Sequence, residues 1–277
     1  MQVEDCIVNV ERRSAGGCID LAFAFTRQFA APIYRLLLWF LIPSALIYWF
    51  TFSQFENQIG WASVIFLVFA PFFSAALVAG MGPQVFGVPF ESRKALYSVL
   101  KRSFGYGVLM LVLRIFQVLT GFCFVLPSLF VSAAYGHIAE VMLLEQSKVN
   151  EVTGRLYWLC GGGGLGRYCL HLIYFGFYWF VSAVGVFLIF DFLSSTLFSQ
   201  NILFGRIVGS PDIFQAIADL LIRDSSVTLV FFISAWLTYP IIRLAWFFSY
   251  LDNRIRSECW DIEVKFRQEA IRLRGAE

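Results

Sequence analysis

Two histidines, His137 and His171, are the only ones in this chain of 277 residues, so candidate centres for acid–base or metal chemistry are few. His137 is followed by Glu140 in the stretch HIAE. Residues at i and i+3 share a helix face, and di-metal sites in helical bundles place histidine and glutamate this way. Such sites need several more carboxylates within the spans, and none is found around His137. The stretch reads as a polar pair near one end of a helix. His171 has no acid partner visible in the sequence. HExxH and GxSxG, which would indicate metalloprotease or serine hydrolase chemistry, do not occur. The reading is of a protein with no metal, no cofactor and no catalytic set; an intramembrane enzyme ranks third among the functions considered.

Arg114 is the next candidate. It interrupts the apolar run Ser103–Gly121. At a rise of about 1.5 Å per residue it would lie about 16 Å into a bilayer. A charge there costs at least about 2.5 kcal/mol, so Arg114 should face protein or water, with Glu140 as its expected partner. One reading is a polar site for an anionic substrate or lipid, formed by Arg114, Glu140 and His137. The other is an interhelical pair or an arginine reaching out of the membrane. Arg243 and Asp191 read as interfacial anchors.

The stretch LYWLCGGGGLGRY, Leu156–Tyr168, poses a third question. A phosphate-binding loop would need GxxxxGK[ST], and a dinucleotide fingerprint would need a preceding strand. Neither context is present. Glycine costs about 1 kcal/mol per helix-interior position, so Gly161, Gly162, Gly163 and Gly164 together should end one helix and serve as a hinge into the next.

The elements around these residues are set by composition. The chain is 59% hydrophobic and 14% charged, against roughly 45–50% and about 25% in soluble domains. Apolar runs suit six helical crossings near 34–54, 61–80, 104–121, 122–144, 168–190 and 227–249. The runs do not alternate polar with apolar residues, which argues against a barrel. The fold class is all-α, a polytopic helical membrane protein. Of the 21 basic residues, 17 fall in segments on one side, among them Arg12, Arg93, Lys148, Arg167 and Arg272. Both termini should therefore be cytoplasmic. The acidic opening MQVEDC lacks a signal peptide's basic start, and the first span is expected to act as the insertion signal. A net charge of +2 gives no reason to expect nucleic acid as a partner. The six cysteines have no CxxC spacing and read as reduced, space-filling thiols.

Three segments, Cys18–Phe40, Glu91–Leu113 and Lys148–Leu172, share an outline. Each starts amphipathic, passes small residues and enters a span. The expectation is three units of interfacial elbow helix plus transmembrane hairpin, with bends at Ala30–Pro32, at Gly105 and Gly107, and at the glycine run. Pro211–Arg223 should form an amphipathic helix in the fifth connection, with Ile213, Ile217, Leu220 and Leu221 on one side.

The last span runs on into YLDNRIRSECWDIEVKFRQEAIRLRG. Leu251, Ile255, Cys259, Ile262, Phe266, Ala270 and Leu273 fall on one narrow helical stripe. Asp252 with Arg256, Asp261 with Lys265, and Glu263 with Arg267 are acid-before-base pairs at i,i+4. Residues 1–17 read as a cytoplasmic segment, 18–250 as the membrane domain and 251–277 as a cytoplasmic helical tail. Leu251, Ile255, Ile262 and Phe266 form a docking stripe, either for the protein's own elbow helices or for a protein partner; the other partner is the lipid bilayer.

Tyr250, Asp252, Arg254, Ile255, Arg256, Glu258, Asp261 and Glu263 resemble the closing motif of bacterial six-span membrane proteins, with Cys259 where a glycine is usual. LLEQSKVNEVTGRLYWLCGGGGLGR is similar to the 4–5 loop of the same group, with Leu156 in place of a serine. The group includes the membrane domain of some glycerophosphodiester phosphodiesterases and stand-alone proteins, some encoded near MoxR-type ATPases. The resemblance implies an architecture and no activity. The expected function is a non-enzymatic membrane scaffold or accessory subunit. The alternative is a transporter or channel-like protein for a small anionic or lipidic substrate.

Overall fold

The computed structural model describes residues 11–85, 90–123, 125–161, 164–198, 203–207 and 212–258. Among these it contains eleven α-helices, one short 3-10 helix at Phe52–Gln54 and no strand. Six segments are long and apolar enough to cross a membrane: Ala30–Gln54, Gln58–Val85, Phe104–Gly121, Leu126–Leu143, Gly164–Leu197 and Ser225–Glu258. They fall where the apolar runs predict six spans. Large apolar side chains such as Trp39, Phe50, Leu111, Phe177 and Leu197 stand exposed on these helices. That suits lipid, where apolar exposure carries no penalty and helices satisfy their own backbone.

Helix α1 (Ala15–Gln28) starts at Ser14, whose Oγ accepts from the Gly17 N–H at 3.2 Å. It buries Cys18, Ala22 and Phe25 along one face. The chain breaks at Phe29 and α2 (Ala30–Thr51) begins, with Pro32 in the first turn, where its missing N–H has no helical partner to lose. Helices α3 (Gln58–Val85), α4 (Ser92–Cys123), α5 (Val125–Tyr135) and α6 (Ile138–Leu143) follow. Helix α7 (Val149–Cys160) buries Val152, Leu156 and Leu159, and α8 (Gly164–Phe198) starts at the last of the four glycines. Short α9 (Phe204–Ile207), then α10 (Ile213–Arg223) and α11 (Ser225–Glu258), complete the described order.

Two expectations need correction. The second elbow is not separate: α4 runs unbroken through Gly105 and Gly107. Two isolated glycines cost only about 2 kcal/mol together, too little to stop a helix of 32 residues. The fourth span, in contrast, is interrupted, because the chain leaves helical geometry at Gly136 and His137 between α5 and α6. A Cβ on Gly136 would lie 2.5 Å from Trp246 Cζ2. The indole takes that space, and its Nε1 donates to the Gly136 carbonyl at 3.0 Å, giving a partner to a group freed by the break.

The chain divides into two compact units. One comprises residues 34–73 and 176–240 and is organised by aromatic packing. Phe66 lies 4.9 Å from Trp236, 5.3 Å from Trp179 and 5.2 Å from Tyr239. Trp179 Nε1 donates to the Ala235 carbonyl at 3.1 Å, so this cluster also satisfies its polar edge. Asp212 caps α10 by accepting from Phe214 and Gln215. Ile217, Leu220 and Leu221 pack on a core of Phe187, Leu203, Ile207 and Val227, while Ile213 stays exposed. Asp191, read from the sequence as an anchor, is buried and accepts from the Leu203 N–H at 2.8 Å.

The other unit comprises residues 1–33, 74–175 and 241–277. Its described part holds α1, the end of α3, α4 to α7, the start of α8 and the end of α11. Helices α4 and α5 pack together, as do α6 and α7. The polar residues singled out in the sequence lie mostly here.

Candidate functional site

The interruption of the fourth span sets the first group. His137 occupies the break, and Glu140 lies in the first turn of α6. Glu140 is 0% and Arg243 5% exposed, and Arg243 Nη1 stands 2.7 Å from Glu140 Oε1. His137 Nδ1 is 3.7 Å from the same oxygen, beyond hydrogen-bond reach. Its ring stacks on Trp246 at 4.5 Å and 14°, with Tyr168 also at 4.5 Å. Neither ring nitrogen of His137 has a hydrogen-bond partner among the described residues.

The expected partnership of Arg114 with Glu140 is replaced by this one. Arg114 Nη1 donates to Gln117 Oε1 at 2.8 Å, and Gln117 Nε2 donates to Ser132 Oγ at 2.9 Å. Arg114 thus belongs to a polar chain joining α4 to α5. Arg243, read as an interfacial anchor, is instead the buried counter-charge. Nothing local in the sequence indicates that pairing, because the two residues are 103 positions apart.

The second group closes the end of α11 onto its neighbours. Glu145 follows α6, on a turn where Gln146 has φ 55°. Arg102 holds that turn by donating to the Met142 carbonyl at 2.5 Å. Arg155 on α7 donates to Glu145 through Nε at 2.6 Å and Nη2 at 3.0 Å, and Tyr250 donates to it at 2.5 Å. Burial pushes the Glu145 carboxyl up, but these hydrogen bonds outweigh it and hold the group below the usual carboxylate range. The bond to Glu145 raises the Arg155 guanidinium above its ordinary value. Arg155 also pairs with Glu258, which Arg254 reaches at 2.7 Å.

Asp252 accepts from the Arg13 backbone N–H and from Arg256 Nε, both at 2.7 Å. Arg256 Nη2 donates to the Arg13 carbonyl at 3.0 Å. Asn253, which sequence reading passed over, donates to the Leu159 carbonyl at 2.8 Å. The described motif residues Tyr250, Asp252, Arg254, Arg256 and Glu258 therefore tie α11 to the chain before α1, to the α6–α7 turn and to α7. Ile255 is buried and Leu251 half-buried within this arrangement. Ile262, Phe266, Asp261 and Glu263 lie outside the described residues.

Of the hinge glycines, Gly161 ends α7 and Gly164 opens α8; Gly162 and Gly163 lie outside the described residues. A Cβ on Gly164 would stand 2.8 Å from the Leu159 carbonyl oxygen. His171 shares a 2.6 Å hydrogen bond with Ser249. Cys18, Cys160 and Cys169 are free thiols, and burial pushes Cys18 up to about 12, with Asp252 adding to the effect. Among the described residues no three His, Cys, Asp or Glu side chains converge as metal ligands. In these two groups carboxylates pair with arginines from other stretches of the chain, Glu140 with Arg243 and Glu145 and Glu258 with Arg155. Comparison with family models, with curated proteins and with solved structures finds no match to the chain.

Proposed function

We propose that this chain is a non-enzymatic integral membrane protein of a bacterial inner membrane, acting as a scaffold or accessory subunit for a cytoplasmic or membrane partner. Its relatives, on this reading, are the six-span proteins whose closing motif its tail resembles. One observation carries the proposal: the described motif side chains are spent on a clamp. Tyr250, Asp252, Arg254, Arg256 and Glu258 hold the end of α11 on α7, on the α6–α7 turn and on the segment before α1. A helix end held this firmly gives the sequence beyond it, with Ile262 and Phe266, a fixed base from which to meet a partner. The basic asymmetry supports a cytoplasmic position for that base.

The test is affinity purification in mild detergent, with co-purifying chains identified and their stoichiometry measured. A recurring stoichiometric partner supports the scaffold reading. Cysteine labelling or reporter fusions that put residue 277 outside would remove the cytoplasmic assignment.

A second reading, a transporter or channel-like protein for a small anionic or lipidic substrate, is favoured by the interrupted fourth span. Broken helices with buried charges at membrane depth are where transporters place their sites. Proteoliposome flux that depends on Glu140 or Arg243, with no partner recovered, would favour it over the scaffold.

A further inference from the structure

At the start of the fifth span an open cavity of about 690 Å³ lies against α7, the first turn of α8 and the end of α11. Its lining includes Arg167, Arg256, Asn253, Ser257, Tyr157 and Trp158. The volume falls within the range of roughly 300–1,000 Å³ typical of small-ligand sites.

The cations are distributed unequally. Arg256 has its Nε on Asp252 and its Nη2 on the Arg13 carbonyl, which leaves Nη1 of its three nitrogens. Arg167 makes one hydrogen bond, a long one of 3.4 Å to Asn253 Oδ1. Among the described residues it has no carboxylate within ion-pair distance. Nearby Glu258 is committed to Arg155 and Arg254. The cavity is also met by the N-terminus of α8, a helix of 35 residues with no acidic side chain in its first turn. The partial positive charge of that end adds to Arg167.

The rim suits a bilayer surface. Tyr157 is 84% exposed, and half-exposed Trp158 is held by Arg155, whose guanidinium sits 4.8 Å over its ring. Aromatic rings with a polar edge concentrate at headgroup depth, and α8 enters its apolar stretch from this point.

We propose that this cavity binds the phosphate of an anionic headgroup, with Arg167 as its principal cation. Arg256 Nη1 supplies a further donor, and Tyr157 and Trp158 line the entrance. Asn253 positions the Arg167 guanidinium while its amide holds Leu159. The proposal rests on Gly164–Leu197 being a membrane span and is independent of the scaffold reading.

The test uses purified full-length protein in nanodiscs of phosphatidylcholine with or without phosphatidylglycerol, read by native mass spectrometry and thermal unfolding. Wild type should retain phosphatidylglycerol preferentially and unfold at higher temperature with it. Arg167→Gln should weaken retention about tenfold, the scale of one charge-assisted bond. Arg93→Gln removes an equal charge from an exposed position outside the cavity and should leave retention unchanged. Should Arg167→Gln fold poorly, Ser257→Phe at an exposed position blocks the cavity with Arg167 intact and should give the same loss.

A separate arm adds millimolar inorganic phosphate to protein in neutral detergent. Protection by phosphate that Arg167→Gln abolishes would assign a soluble phosphate as occupant. Protection confined to phosphatidylglycerol assigns the lipid. Either result upholds the phosphate site. Equal losses in the Arg167 and Arg93 variants, retention undiminished by Ser257→Phe, or no preference in wild type overturns it.

Discussion

Replacing Arg243 with Met should strand the Glu140 carboxylate in the protein interior. Glu140 is 0% exposed, Arg243 is 5% exposed, and their charged atoms stand 2.7 Å apart. His137, 3.7 Å away and stacked on Trp246, is too far to replace the close ion pair. Breaking a buried pair from one side costs about 3–5 kcal/mol, because the remaining charge is left uncompensated. Arg243→Met should therefore lower the unfolding temperature by roughly 6–20 °C for a chain of this size. Glu140→Gln strands the guanidinium and should cost a similar amount. The double variant buries no charge and should recover most of the loss, since replacing a whole buried pair is often close to neutral. The assay is tryptophan-fluorescence unfolding of the purified protein in detergent, with all four members of the cycle. Single effects that add to within about 0.5 kcal/mol would mean that the two residues do not interact, which refutes the pairing.

Acid should loosen the Glu145 clamp. Its folded carboxyl lies below the usual carboxylate range, so its contribution is complete above the unfolded value of about 4.3 and is lost as pH falls through the folded one. Tyr250→Phe deletes one donor and should move the acid-unfolding midpoint to higher pH; identical midpoints would contradict the assignment. Replacing Gly161–Gly164 with alanine should lower folded yield, because a Gly164 Cβ meets the Leu159 carbonyl oxygen at 2.8 Å. Nucleotide binding by wild type that these substitutions abolish would overturn the hinge. Cys18, buried and raised to about 12, should resist maleimide in the folded protein and react on denaturation; rapid labelling at neutral pH in the folded state would place it elsewhere.

The spans were legible because a bilayer demands about 20 apolar residues in a row, and that demand is local. So was the Asp252–Arg256 pair, whose i,i+4 spacing is a property of one helix. What the sequence concealed was non-local. The apolar run through Gly136 gives no hint of a break, since the break depends on an indole 110 residues away. Arg243 looked like an anchor because its partner lies on another helix, and Arg114 looked like that partner's mate because it was the charge nearest mid-membrane. Gly105 and Gly107 looked like the other bends in outline, but their cost is small beside four consecutive glycines. The motif residues were recognisable as a group, as was the 4–5 stretch that carries Glu145 and Arg155, whereas the pairing of the two stretches with each other and with Arg13 is non-local.

On the proposed function, α11 is clamped to its own protein up to Glu258, and Ile262 and Phe266 in the sequence beyond it meet a partner. Aspartate at Ile255, Ile262 or Phe266 separates the two, with monomer unfolding temperature and retention of a mass-spectrometrically identified partner read on the same preparations. Burying a large apolar side chain is worth about 1.5–3 kcal/mol, so each change should register where its residue is covered. The account predicts that Ile255→Asp lowers monomer stability, whereas Ile262→Asp and Phe266→Asp leave it intact and lose the partner. Full stability and full partner retention in both tail variants would contradict it.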